Sequence, residues 1–110
     1  MKPSDLLHGT LDILILKALA DEPRHGYAIV RQIEAATRDA VKVEDGSLYP
    51  ALYRLEQKRL IRGKWGISDA GRRARFYELT DAGRRQLASR VAEWGRFSLG
   101  VTRMLEGGAK

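Results

Sequence analysis

A block of basic side chains is the part of this sequence best suited to a chemical task. The segment from Lys58 to Arg90 holds ten lysines and arginines against three acidic residues, an excess larger than the net charge of +6 of the whole chain. Most of the ten are arginines, whose planar guanidinium fork matches the oxygens of a phosphate group. The block indicates either an ordinary solvated face or a contact surface for a polyanion such as nucleic acid.

Residues for catalysis or metal binding do not occur in suitable patterns. The chain has no cysteine, which excludes thiol nucleophiles, thiolate ligands and disulfides. His8 and His25 are 17 positions apart, and neither has a carboxylate at the spacing of a triad or a metal cluster. No glycine-rich phosphate loop follows a predicted strand. We therefore expect no enzyme activity, no metal and no cofactor.

The length and hydropathy of the chain place it among small water-soluble domains. Its 110 residues suffice for one domain, and 44% of them are hydrophobic. The apolar run over residues 11–20 contains Asp12 and Lys17, so it is too short and too charged to span a bilayer. The first residues lack the pattern of a signal peptide. We expect a cytoplasmic protein with no membrane partner.

Helical spacing predicts three short helices in the first half of the chain. The first, over residues 6–20, is apolar on two sides and is expected to be sandwiched or to reach a second subunit. The second spans about residues 25–37. A connector follows, with Val41 and Val43 as a candidate short strand. The third helix is expected from Gly46 to about Arg59, with Ser47 as its cap and Pro50 in its first turn.

A hairpin and a long helix are predicted for the second half. The apolar residues Ile61, Gly63, Trp65 and Ile67 alternate with polar ones, a turn covers residues 69–73, and a strand returns over residues 74–79. Thr80 is expected to cap a helix over residues 81–105. The sequence thus predicts a mainly α protein with a small β-hairpin, a winged helix-turn-helix. In that fold the third helix enters the major groove of DNA and the hairpin, or wing, grips the flanking backbone.

The last helix carries an apolar stripe typical of a pairing surface. Such a stripe is not left in water by monomers, so we expect a two-fold dimer in which the first helix also takes part. The chain then divides into a DNA-binding part, residues 1–80, and a dimerisation helix, residues 81–110. The expected interface residues are Leu7, Leu11, Leu87, Val91, Trp94, Phe97, Val101, Met104 and Leu105.

Three groups of side chains are candidates for contact with DNA. Tyr49 and Tyr53 lie on one side of the third helix, although half-buried packing is an alternative role for them. His25 and Tyr27 open the second helix, where His25 could instead be a simple cap. The full candidate set is Ser47, Tyr49, Pro50, Tyr53 and Arg54 in the third helix, Arg72, Arg73 and Arg75 in the wing, and His25 and Tyr27.

Several segments resemble those of the PadR family of bacterial transcriptional regulators. They are residues 9–19, 25–27, 46–56, 65–66 and 76–83, and the run Gly-Ser-Leu-Tyr-Pro-Ala-Leu at 46–52 is the most specific. The resemblance implies a winged helix domain, a C-terminal dimerisation helix and repression by blocking a promoter, with the same candidate residues. The single terminal helix resembles the short subfamily, and the wing, residues 68–75, resembles a group common in acidobacteria.

The resemblance also raises the question of a small-molecule effector. Some short members bind planar aromatic compounds between the subunits beside a tryptophan of the last helix, where Trp94 lies in this chain. The alternative is that Trp94 only packs in the dimer core. Two rival functions remain open. A non-specific DNA-packaging protein would share the basic patch but needs no corner such as Ser47, Tyr49 and Tyr53 that reads a groove. A protein–protein winged helix that has lost DNA binding would usually have a wing with fewer arginines. A dimer that reads DNA should bind a near-palindrome with half-sites roughly 10 bp apart.

Overall fold

Four helices and a small antiparallel sheet follow one another along the chain. The computed structural model describes residues 3–107, and the side chains from residue 9 onward within that range. The elements are α1 (Pro3–Ala18), β1 (Arg24–His25), α2 (Gly26–Ala36), α3 (Asp45–Gln57), β2 (Ile61–Ile67), β3 (Arg73–Leu79) and α4 (Asp81–Leu105). The sheet order is β1-β3-β2. The predicted fold class, mainly α with a small β-hairpin in a winged helix arrangement, is confirmed.

The core forms around α1, which is buried on two sides. Leu11, Ile15 and Leu16 have no exposed surface. They pack with inward-facing apolar residues from α2, α3 and the base of the hairpin, and this cluster includes Ile29, Leu52 and Ile61. Burying such side chains contributes about 1.5–3 kcal/mol each. The prediction that the first helix is sandwiched between other elements is confirmed by this packing.

The sheet has one strand more than the predicted hairpin. Arg24 pairs with Tyr77 and His25 with Phe76, so two residues just before α2 add a third strand beside β3. Two residues are too few to show the alternation that marks a strand in a sequence. The candidate strand at Val41 and Val43 is wrong, because this segment is an irregular connector in which the Val43 N–H donates to Glu34 Oε2 (3.2 Å).

Helix α3 begins three residues earlier than Ser47 as its cap would allow. Glu44 is the N-cap residue and makes no side-chain capping bond. The predicted cap, Ser47, is the third residue of the helix, and its N–H donates to the Glu44 carbonyl (2.9 Å). Pro50 therefore lies inside the helix rather than in the first turn, where its ring offers no N–H to the carbonyl of Gly46. The early start extends the exposed end of α3 by a turn.

Helix α4 is attached to the core at its first turns. Thr80 caps it as predicted, since Thr80 Oγ1 accepts from the Gly83 N–H (3.0 Å). Arg84 donates to the carbonyl of Ala20, two residues after the end of α1 (3.0 Å). Gly83 is buried against the backbone of Leu60. Beyond Arg90 all described residues of α4 except Ser98 are exposed, so the second half of this helix projects from the protomer.

We predict that Gly83→Ala destabilises the protein. A Cβ at this position would lie 2.0 Å from the Leu60 carbonyl oxygen, which is a backbone atom and cannot swing away. The expected loss is about 1–3 kcal/mol in the free energy of unfolding, the usual cost of overpacking. Denaturant titration at fixed protein concentration measures it.

The matched control is Gly46→Ala, also in a helix. No heavy atom lies within 4 Å of a Cβ built there. This variant should be neutral or more stable by up to about 1 kcal/mol, because alanine favours helix more than glycine does. Equal stability of the two variants would show that α4 does not pack against Leu60 as described.

Candidate nucleic-acid interface

An open groove lies between α2, the start of α3 and the wing, the hairpin of β2 and β3. Its volume is about 1200 Å³. Five arginines contribute to its lining, and Asp69 is the one acidic residue among the lining side chains that the structure describes. We call it the arginine groove; its charged lining consists of Arg24, Arg31, Arg72, Arg73, Arg75 and Asp69.

The side of the groove formed by α2 presents the aromatic ring of Tyr27 and the guanidinium of Arg31. His25 Nδ1 accepts from the Ala28 N–H (3.2 Å), so His25 caps α2, and its ring meets the edge of Phe76. Arg31 donates to the Tyr27 hydroxyl (3.2 Å). That hydrogen bond raises the pKa of Arg31 above its ordinary value. Sequence reasoning missed Arg31, although its position four residues after Tyr27 places the two on one helix face.

The start of α3 exposes the predicted tyrosines. Tyr49 is 53% exposed and Tyr53 is 66% exposed, so neither is a core residue. Tyr49 also packs against the start of α2, since its hydroxyl would lie 3.1 Å from a Cβ at Gly26. Pro50 is exposed beside them and Ser47 is half-buried. The N-terminal corner of α3 thus joins the arginine groove through Tyr49.

The wing arginines divide into bound and free cations. Arg75 donates to Glu56 on α3 and lies across Gly63, where any Cβ would collide with its guanidinium. It also stands near the ring of Tyr77, whose pKa is raised by burial while the Arg75 charge opposes that rise. Arg75 therefore joins the wing to α3 and is less available to DNA than predicted.

The opposite face of the wing carries two further cations on one carboxylate. Lys64 (3.3 Å) and Arg62 (3.2 Å) both bind Glu78 Oε1. The hydrogen bond and charge of Lys64, followed by those of Arg62, hold the pKa of Glu78 below its usual range. In contrast, no described carboxylate lies within salt-bridge distance of Arg72 or Arg73. The uncompensated cations of the wing are therefore at its tip.

Arg54 has a structural partner that the sequence did not suggest. Its Nη2 donates to Oδ1 of Asp12 on α1 (3.1 Å), and Arg90 of α4 lies 4.0 Å from the other oxygen. Asp12 is 7% exposed and is the buried charged residue among the described side chains. Arg54 was predicted to touch DNA, and this ion pair gives part of its guanidinium a structural role.

The residues predicted for pairing fall into three environments. Leu11 has no exposed surface, so it belongs to the core of the protomer and adds nothing to a contact surface. Leu87 is half-buried against that core, and the side chain of Leu7 lies outside the described residues. The others lie exposed along the projecting half of α4, namely Val91, Trp94, Phe97, Val101, Met104 and Leu105.

The described part of the chain contains neither a metal-binding cluster nor a membrane-spanning helix. Among the side chains of residues 9–107 there is no group of three or more histidine, aspartate or glutamate residues that could hold a metal ion. Over the same range no helix is both long and apolar enough to cross a membrane.

The arrangement of α1, α2, α3 and the wing defines a winged helix-turn-helix protein. Residues 15–89 match the Transcriptional regulator PadR-like family. The chain therefore belongs to the PadR-like family, and it is a DNA-binding transcriptional regulator.

Relatives support this assignment over most of the chain. An uncharacterized protein of Lysinibacillus sphaericus is 32% identical over 97% of this chain and 98% of its own length. A transcriptional regulator of Mycobacterium tuberculosis is 37% identical over 66% of this chain and 64% of its own length. The crystal structure of a PadR-like regulator from Bacillus cereus has 31% identity and a TM-score of 0.77, covering 92% of this chain and 96% of that one.

We predict that Arg54→Ala lowers the free energy of unfolding by about 1–3 kcal/mol, because it removes the donor from a buried carboxylate. Adding Asp12→Asn to that variant should recover part of the loss, since a neutral amide is less costly to bury unpaired. Arg72→Ala is the control and should change stability by less than about 0.5 kcal/mol. If Arg54→Ala behaves like Arg72→Ala in denaturant titrations, the ion pair with Asp12 contributes nothing.

Proposed function

We propose that this regulator is a homodimeric repressor that binds a palindromic promoter site through α3 and the wing. The observation that carries the proposal is the arginine groove beside the exposed corner of Tyr49 and Tyr53. A positively charged groove can bind the phosphates of one DNA strand. The exposed aromatic and polar side chains next to it can then contact the bases of the same DNA. A regulator of this kind acts where the bacterial chromosome is, in the cytoplasm.

The arginine groove and α3 make different contacts in the proposed complex with DNA. The N-terminal corner of α3 can enter the major groove, which is wide enough for a helix. In that pose Ser47, Tyr49, Pro50 and Tyr53 meet base edges and the adjoining backbone. The arginine groove then receives one phosphodiester strand between α2 and the wing, with Arg72 and Arg31 at its phosphates and Arg73 beside the strand at the wing tip. The start of α2, with His25 and Tyr27, offers free N–H groups to the same strand.

The projecting half of α4 supports the dimer. Trp94 lies 6.1 Å from Phe97 between ring centroids, and both belong to the exposed stripe that continues to Leu105. A second copy related by a two-fold axis would cover this stripe and would place two α3 helices for two half-sites about one turn apart. The dimerisation part, residues 81–110, therefore sets which half-site spacing is bound.

Trp94 has two roles open to it within this dimer. Its ring and that of Phe97 form the centre of the stripe, so we propose packing between the subunits as its main role. A planar aromatic compound bound between the subunits would stack on the same ring, and control by such an effector is the second role that we propose. Quenching of tryptophan fluorescence by a candidate compound would be the direct sign of it.

The alternative function is non-specific DNA coating, which needs only the cations. Selection of genomic fragments by the purified protein at about 150 mM salt separates the two, because salt suppresses purely electrostatic binding. A recovered palindrome supports the proposed function, whereas strong recovery without any motif supports coating.

We predict that Tyr53→Ala weakens binding to the recovered site by about 5- to 150-fold, the range expected for loss of one good base contact. Binding to unrelated DNA should fall by less than about twofold, because non-specific binding rests on phosphate contacts. Fluorescence anisotropy on both duplexes measures the two effects. Equal losses on the two duplexes would assign Tyr53 a structural role, and Tyr53→Phe shows how much the hydroxyl contributes.

We also predict that Val101→Asp dissociates the dimer, since it puts a charge into the apolar stripe. Ala92→Asp is the matched control. It adds the same charge to the same helix, but nine residues are two and a half helical turns, so it lies on the opposite face. Light scattering should find a monomer for Val101→Asp and a dimer for Ala92→Asp. A dimer in both cases would mean that the stripe is not the interface.

A further inference from the structure

One face of the wing carries apolar side chains out of the core and into solvent. In the register of the hairpin, Ile61 pairs with Leu79, Gly63 with Tyr77, Trp65 with Arg75 and Ile67 with Arg73. Paired residues of an antiparallel ladder lie on the same face. At the base this face is buried, but Trp65 is 59% exposed and Ile67 is 68% exposed. An indole in this position is available to a partner outside the protomer.

Trp65 holds one of the free arginines of the wing tip. The guanidinium carbon of Arg73 lies 4.4 Å from the centroid of the Trp65 ring, within the range of a cation–π contact. Arg73 is exposed and has no described carboxylate within salt-bridge distance. Its charge is therefore uncompensated, but its position is restricted by the indole. Arg72, its neighbour at the turn, has no aromatic ring among its described contacts.

The geometry of a DNA duplex determines which groove of the DNA the wing tip would meet. The arginine groove lies between α2 and the Trp65 face of the wing, and Tyr49 at the start of α3 also lines it. If one phosphodiester strand occupies that groove with α3 in the major groove, the wing lies on the other side of the same strand. That side of the strand is the minor groove.

We propose, on the basis of the proposed function, that Trp65 holds Arg73 in the minor groove beside each half-site and thereby selects A·T-rich flanks. A·T tracts have a narrow minor groove with enhanced negative potential, which attracts arginine. A G·C pair adds the guanine N2 amino group to the groove floor. Trp65 is a positioning residue here, since it acts through Arg73, and its indole edge and Ile67 pack against the sugars of the groove wall.

Three duplexes test this proposal, each with the half-sites recovered by genomic selection. The flanks are A·T, G·C, or inosine·C, which presents the same major-groove acceptors as G·C but lacks the N2 amino group. The wild-type protein should bind the A·T and inosine·C duplexes about three- to tenfold more tightly than the G·C duplex, as expected for one arginine contact of this kind.

Four variants assign the preference to the two residues. Trp65→Ala and Arg73→Ala should each reduce the preference to less than about twofold, and combining them should add little, because the two act as one unit. Arg73→Lys keeps the charge, and therefore the salt dependence, but should lose the preference, since lysine is more strongly hydrated. The control Arg72→Ala removes one charge at the same turn and should weaken binding equally on all three duplexes.

The outcomes separate this proposal from the proposed function. A preference that survives in Arg73→Lys or in folded Trp65→Ala overturns the proposal, and so does a wild-type protein that binds the three duplexes equally. Arg73 is exposed, so its variants remain informative even if Trp65→Ala fails to fold. If no half-site is bound above unrelated DNA on any flank, the proposed function itself is wrong.

Discussion

The position of a single buried carboxylate constrains much of this structure. Asp12 lies in α1 where α3 and α4 both approach, and burying its charge without a partner would cost several kcal/mol. Arg54 of α3 supplies the hydrogen bond, and Arg90 of α4 lies at the edge of salt-bridge distance. The helix that presents Tyr53 and the helix that carries the apolar stripe are therefore held against the same turn of α1. The surfaces proposed for DNA binding and for pairing of subunits thus depend on one element.

The division of the arginines follows the same logic. Arg54, Arg75 and Arg84 each donate to an acceptor on a different element, so they position the parts of the fold. Arg72 and Arg73, by contrast, reach the wing tip without a described carboxylate partner. A surface that must bind a polyanion needs cations whose charge is not already neutralised. The excess of arginine in the sequence therefore divides into a structural part and a part available for the proposed DNA contact, and composition alone does not separate the two.

The elements with a long, regular pattern were predictable from the sequence, and the contacts between distant residues were not. The hairpin and α4 follow from alternation and from the Thr80 cap, and both appear as expected. Strand β1 is too short to show a period. The sequence does not show which of the two apolar faces of α1 packs in the core of the protomer. Leu11 is therefore predicted for the dimer interface, whereas the structure buries it in the core. The ion pair of Asp12 and Arg54 joins residues 42 positions apart, so no local sequence pattern predicts it.

Two apolar surfaces leave the core, at the tip of the wing and along the second half of α4. Each belongs to an element whose other end is fixed, the wing by Arg75 on Glu56 and α4 by Gly83 against Leu60. Side chains held in place before binding lose little conformational freedom when a partner covers them. The fixed ends thus favour tight contact at the free ends, for which we propose DNA at the wing and a second subunit at α4. Because both elements start from the same core, the distance between the two wings of the proposed dimer would be set by the fold rather than by DNA.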